Sequence, residues 1–206
     1  MTNAPAPKNF RRLVWTTLVV TLLVIAWGAL VRATKSGAGC GDDWPHCNGQ
    51  AIPLDGSVKT LIEFTHRVTS GVVMLLALAV AWKARRFPKG ALRSTSNWAL
   101  FFMLMEAALG AGLVLFGLVV DNDSVARAIA MSLHLVNTLL LLGAQGLCLW
   151  FAEGGAPLRW REKSALRTMW FTALSAFLLL GVTGALTALG DTLFPVETIR
   201  DGIAQH

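Results

Sequence analysis

Charge is scarce in this chain of 206 residues: Asp, Glu, Lys and Arg together make up 15%, against the quarter usual for soluble domains. Tyrosine is absent, although there are eight Trp and ten Phe. The long apolar runs lack any water-facing stripe of helical period, which excludes amphipathic surface helices. Three cysteines are too few for a disulfide-rich secreted scaffold. At the same time 54% of residues are hydrophobic, far too many for intrinsic disorder. Neither a soluble domain nor a disordered tail fits this balance.

What the sequence does contain is long uncharged runs. A helix needs about 20 mostly apolar residues to cross the hydrocarbon core. Charged residues fence off five such runs: Arg12 to Arg32, Arg67 to Lys83, Arg93 to Asp121, Arg127 to Glu153 and Arg167 to Asp191. The second is extended outward by the more polar turn Leu61–His66, the third holds one acid, Glu106, and the fourth one histidine, His134. The expected fold is an all-α integral membrane protein with five transmembrane helices.

The charges also predict an orientation. Twelve of the eighteen Lys and Arg fall on the side of Lys8, Arg11 and Arg12, of the run Lys83 to Arg93, and of Arg159, Arg161, Lys163 and Arg167. Short cytoplasmic loops carry this excess, so the N-terminus is expected inside and loop 32–60 outside. Trp15, Trp82, Trp98, Trp150 and Trp170 fall near the cytoplasmic span ends, where an aromatic belt belongs. The net charge of +6 is thereby largely a topological signal, and no nucleic-acid partner is expected. The segment before Arg11 is too short for a mitochondrial transit peptide, and the first span lacks a small-residue cleavage site. A bacterial cytoplasmic (inner) membrane is the simplest location.

Cys40 and Cys47 share the outer loop, in Cys40-Gly-Asp-Asp-Trp-Pro-His-Cys47. That face is oxidising in bacteria, and Gly and Pro supply turns for a small closed loop, which favours a disulfide. A metal site using His46 with both thiolates, or two free thiols, are the alternatives. Cys148, deep in the fourth span, reads as a small core residue. Ionisable groups inside spans are functional candidates: Glu63, His66 and Arg67 at the outer end of the second helix, Glu106 in the third, His134 in the fourth. His66 and His134 lie at matching depth on parallel helices, an arrangement that can clamp a porphyrin with two neutral nitrogens on its iron. Two independent hydrogen-bonded histidines, another metal or a quinone compete with that reading. Glu63 shares a helix face with His66 and can handle protons beside a bound substrate or stabilise charge on it. It also stands four residues before Arg67, the favourable order for a plain ion pair. Arg67 can instead meet an anionic group such as a heme propionate. Glu106 receives no catalytic role.

Three segments carry a resemblance. The loop Gly28-Ala-Leu-Val-Arg32-Ala-Thr34-Lys-Ser36-Gly37-Ala-Gly39-Cys40, with Asp43-Trp44-Pro45-His-Cys47-Asn-Gly49-Gln50-Ala-Ile-Pro53, resembles the first outer loop of the heme A synthase family in its cysteine-containing branch. Glu63-Phe-Thr-His66-Arg67 resembles that family's Glu-x-x-His-Arg motif, and Leu133-His134-Leu-Val-Asn137 its fourth-helix histidine. The resemblance implies oxidation of heme O to heme A, with His66 and His134 as heme iron ligands, Glu63 as the catalytic carboxylate, Arg67 at the cofactor and a Cys40–Cys47 disulfide. It also implies heme O synthase or terminal-oxidase assembly proteins as partners, and leaves room for a homo-oligomer. Lys35 stands where the family pattern leads one to expect Gly.

The family has eight spans in two similar four-helix halves. The resemblance divides this chain into residues 1–152, the N-terminal four-helix heme O-binding half, and 153–206, a cytoplasmic linker, a fifth helix and the start of a second half. An internal echo agrees: Trp27-Gly28-Ala29-Leu30 recurs as Thr183-Gly184-Ala185-Leu186, as a starting second repeat would. A b-type heme is expected only with a full second half, whose histidine pair has no match here. The chain then reads as a fragment or a shortened relative, and a non-catalytic bis-histidine heme carrier or electron-transfer protein is the alternative function.

Overall fold

The computed structural model describes residues 4–54, 56–120, 122, 124–156 and 164–193. It contains five helices: α1 (Lys8–Ala33), α2 (Val58–Ala84), α3 (Ala91–Leu115), α4 (Val125–Ala152) and α5 (Ser164–Leu193). There is no strand among the described residues, only an isolated bridge between Cys47 and Gln50. In lipid each backbone N–H and C=O must find a partner within its own segment, so uncharged runs without Pro close as helices. The helices α1 to α4 are 25 to 28 residues long, or about 38–42 Å at ~1.5 Å per residue, enough to cross a bilayer. All four are also apolar enough to do so, whereas the apolar stretch of α5 among the described residues is the shorter Phe171–Gly184. The protein is a multi-pass, all-α membrane protein. Five helices are present as expected, and four of them have full spanning length by this measure.

Side-chain chemistry sets where α2 and α4 begin. Ser57 caps α2 by accepting from the Thr60 N–H at 3.2 Å, and Ser124 caps α4 by accepting from the Arg127 N–H at 3.2 Å. A serine oxygen there satisfies one of the donors that a helix start leaves unpaired. The capped α2 starts at Val58, inside the loop bounds expected from the charges.

The first four helices pack in a ring: α1 on α2, α2 on α3, α3 on α4, and α4 back on α1, with α5 lying on α4. Thus α2 and α4 stand diagonally across the bundle. One core cluster sits at the end where α1 begins and joins Phe10, Val14, Val80, Ala84, Cys148 and Ala152. A second, of Val73, Ala77, Met103 and Leu141, lies next along the bundle. Cys148 is part of this core, as expected, and shares a 3.2 Å hydrogen bond with Ser96. Gln145 of α4 donates to Thr21 of α1 at 3.0 Å. At the same end Arg11 pairs with Glu153, and the Ala6 N–H donates to the Ala152 carbonyl. Trp15, Trp82, Trp98 and Trp150 are all exposed towards this end, as is the basic α2–α3 connection. The side chain of Trp170, the basic residues Arg159, Arg161 and Lys163, and the region after Leu193 lie outside the described residues.

Candidate functional site

The opposite end of the bundle carries the loop between α1 and α2. Cys40 and Cys47 are joined there, Sγ to Sγ at 1.97 Å with Cα atoms 4.3 Å apart, and both are fully buried. The thiols are therefore neither free nor arranged around His46 as metal ligands, and no cluster of three or more His, Cys, Asp or Glu suited to a metal occurs among the described residues. The loop lies directly on the start of α2. Thr60 Oγ1 donates to the Gly39 carbonyl at 2.8 Å, and a Cβ on Gly39 would come within 2.6 Å of the Lys59 backbone. Only glycine fits that approach. Lys35 adopts φ 51°, a left-handed conformation that glycine takes without strain, which gives the physical reason for expecting Gly at this position.

Glu63 and Arg67 tie this loop to α2. The Glu63 carboxylate is almost wholly buried and accepts from Arg67 Nε at 3.0 Å and from its terminal nitrogen through Oε1, while Oε2 accepts from the Cys40 N–H at 2.9 Å. Arg67 also donates to the backbone carbonyls of Asp43 and His46, at 2.6 and 2.7 Å. The ion pair suggested by the i, i+4 spacing is present, and the same two side chains hold both arms of the disulfide loop. Spacing gave no sign of the loop contacts, because the carbonyls that Arg67 binds lie more than twenty residues away.

His66, three residues beyond Glu63, turns towards α1. A Cβ on Gly28 would lie 3.1 Å from His66 Cε1, so the missing side chain of Gly28 makes room for the ring. His134 on α4 lies beside α3, its Cε1 3.8 Å from where a Cβ on Gly110 would stand and its Nδ1 3.6 Å from Glu106 Oε1. In both rings Nδ1 is buried without a hydrogen-bond partner. The fold therefore brings Glu63, His66, Arg67 and His134 to one end, below the disulfide loop, with the histidines on diagonal helices. Two imidazoles whose Nδ1 atoms are unbonded, each beside a glycine, are side chains that could hold a flat iron porphyrin. Glu106 is the residue that sequence reasoning left without a role. Its carboxylate accepts from Asn137 Nδ2 and Thr138 Oγ1, both on α4.

Residues 11–203 match the COX15-CtaA family, described as cytochrome oxidase assembly protein. A protoheme IX farnesyltransferase of Thermus thermophilus is 51% identical over 98% of this chain, a match covering 33% of that protein. The heme A synthase of Shouchella clausii is 44% identical over 53% of the chain and 37% of its own length. That of Exiguobacterium sibiricum is 32% identical over 80% of the chain and 54% of its own length. The chain thus spans between a third and about half of these curated relatives. No solved structure matches. The chain belongs to the heme A synthase family of cytochrome oxidase assembly proteins.

Proposed function

We propose that this chain holds heme O as substrate between His66 and His134 and serves the oxidation of one ring methyl to the formyl group of heme A. The placement of two imidazoles on diagonal helices, His66 against Gly28 and His134 against Gly110, carries this reading. The relatives named heme A synthase support it. Written with water as the oxygen source, CH3 + H2O becomes CHO + 4 H+ + 4 e−. The four electrons leave one at a time, relayed onward through the b-type heme that the family resemblance assigns to a second half and that is reoxidised after each transfer. His66 and His134 orient the substrate through its iron, and the iron supplies the redox chemistry. Glu63 is the proton-handling carboxylate, and Arg67 faces a propionate or holds Glu63 in place. The similarity to a protein named protoheme IX farnesyltransferase favours a heme O-forming enzyme as the partner that delivers substrate. The loop is placed on the outer face of a bacterial cytoplasmic membrane, with the N-terminus inside, from the distribution of Lys and Arg.

One observation favours the second reading, a bis-histidine heme carrier: both oxygens of Glu63 already accept hydrogen bonds from Arg67 or Cys40. Mass spectrometry of extracted heme separates the two. Cells making heme O would express the chain extended to eight spans, as wild type, Glu63→Gln or Arg67→Gln. The enzyme reading expects Glu63→Gln to retain heme O but form ~10²–10⁴-fold less heme A, the usual cost of a lost proton transfer. Near-normal heme A in Glu63→Gln removes the catalytic role and leaves the loop-holding one. Heme lost from Arg67→Gln alone assigns Arg67 to a propionate.

A further inference from the structure

Glu106 is an acid in the third apolar span, and its side chain is only 15% exposed. Placing a carboxyl group there is costly unless its oxygens are occupied. The residues that occupy them come from one face of α4: Asn137 Nδ2 donates to Oε2 at 2.6 Å and Thr138 Oγ1 donates to Oε1. His134 stands on that same face, three and four residues earlier, and its unbonded Nδ1 is 3.6 Å from the oxygen that Thr138 uses. Joining α3 to α4 does not require an acid. Asn137 also reaches the Phe102 carbonyl at 2.9 Å, and Thr138 the His134 carbonyl at 2.9 Å, so both donors have other acceptors. A side chain that only accepts, with two oxygens, is the group suited to three donors converging from one helix face.

We infer that Glu106 is the positioning residue of His134, accepting the proton of Nδ1–H and leaving Nε2 as the nitrogen that offers its lone pair to heme iron. The inference rests on the heme reading above. The present 3.6 Å is too long for a hydrogen bond, and closing it takes a ring movement of about 0.5 Å. Such a bond from a ligating histidine to an acceptor fixes the ring's orientation and tautomer and makes the nitrogen a stronger donor to the metal. A more strongly donating ligand favours the ferric state and lowers the heme potential. Thr138 donates to the same oxygen and draws on its electron density, so it weakens the acceptor that Nδ1–H meets.

The test is the reduction potential and low-spin electron paramagnetic resonance signal of the heme-loaded protein, in wild type, Glu106→Leu, Glu106→Gln and Thr138→Val. Glu106→Leu is expected to keep its heme while the potential moves positive and the low-spin signal shifts or broadens. Glu106→Gln, which keeps an acceptor oxygen, is expected to restore part of both. Thr138→Val, which removes the other donor on that oxygen and leaves it a stronger acceptor, is expected to move the potential negative. A purely structural Glu106 predicts no shift, or shifts of the same sign in Glu106→Leu and Thr138→Val, and either result overturns the inference. Should Glu106→Leu fail to accumulate, the sign in Thr138→Val decides alone. Wild type without a bis-histidine signal overturns the heme reading and this inference together, whereas a normal wild-type signal insensitive to both positions overturns only the latter.

Discussion

Glu63 and Arg67 show how burial changes the value of a contact that spacing alone suggests. An exposed pair four residues apart on a helix contributes about 0.3–0.5 kcal/mol. This pair is 4% and 12% exposed at its side chains, so removing one member strands the other, at a cost of about 3–5 kcal/mol. Part of that cost falls on the loop, because Glu63 accepts from Cys40 and Arg67 donates to Asp43 and His46. Glu63→Gln is therefore expected to speed reduction of the Cys40–Cys47 bond by a thiol reductant by ~5–30-fold, the range that corresponds to ~1–2 kcal/mol of loop opening. Arg67→Gln, which frees both carbonyls as well, should have the larger effect. Timed thiol labelling after reductant addition measures this, and equal rates in all three proteins would show that the pair does not hold the loop. The pair and the disulfide are legible in the sequence. The loop contacts and the φ of Lys35 are not, because each depends on how a turn places backbone atoms.

At the scale of elements, the fences of charge located all five helices, since a run without charges has no alternative in lipid but to satisfy its own backbone. Helix ends were less legible: α2 starts where Ser57 can cap it, whatever the position of the nearest charge. Which faces meet was not legible at all. Glu106, Asn137 and Thr138 are unremarkable by spacing, and only the packing of α3 on α4 joins them. The α1–α2 contact carries its own prediction. His66 occupies the space above Gly28, so Gly28→Val should displace the ring while leaving both helices formed. Helical circular dichroism near wild type, with most bound heme lost, is the expected pair of measurements. Full heme retention would show that the ring does not depend on this close approach.

Over the whole molecule, the bundle divides its length between two tasks. The hydrophobic clusters of Phe10 to Ala152 and Val73 to Leu141 occupy the end where α1 begins and the section next to it. The other end is given to imidazoles, glycines, the buried acid Glu63 on α2 and the half-buried acid Glu106 on α3. Helix α5 packs on α4, where a Cβ on Gly181 would lie 3.3 Å from Leu135, one residue after His134. Helix α5 thus touches the element that carries His134 directly, which the internal echo of Trp27–Leu30 in 183–186 could not reveal. The boundary between 152 and 153 is a proposal that this contact neither needs nor opposes.

The most direct test of the account is the low-spin heme signal of the protein purified from cells that make heme O, measured by electron paramagnetic resonance in wild type, His66→Ala and His134→Ala. A heme clamped between these two helices predicts a bis-histidine low-spin signal in wild type, lost or converted to high spin in each single variant while the membrane-inserted helices remain. An unaltered bis-histidine signal in either variant would contradict it.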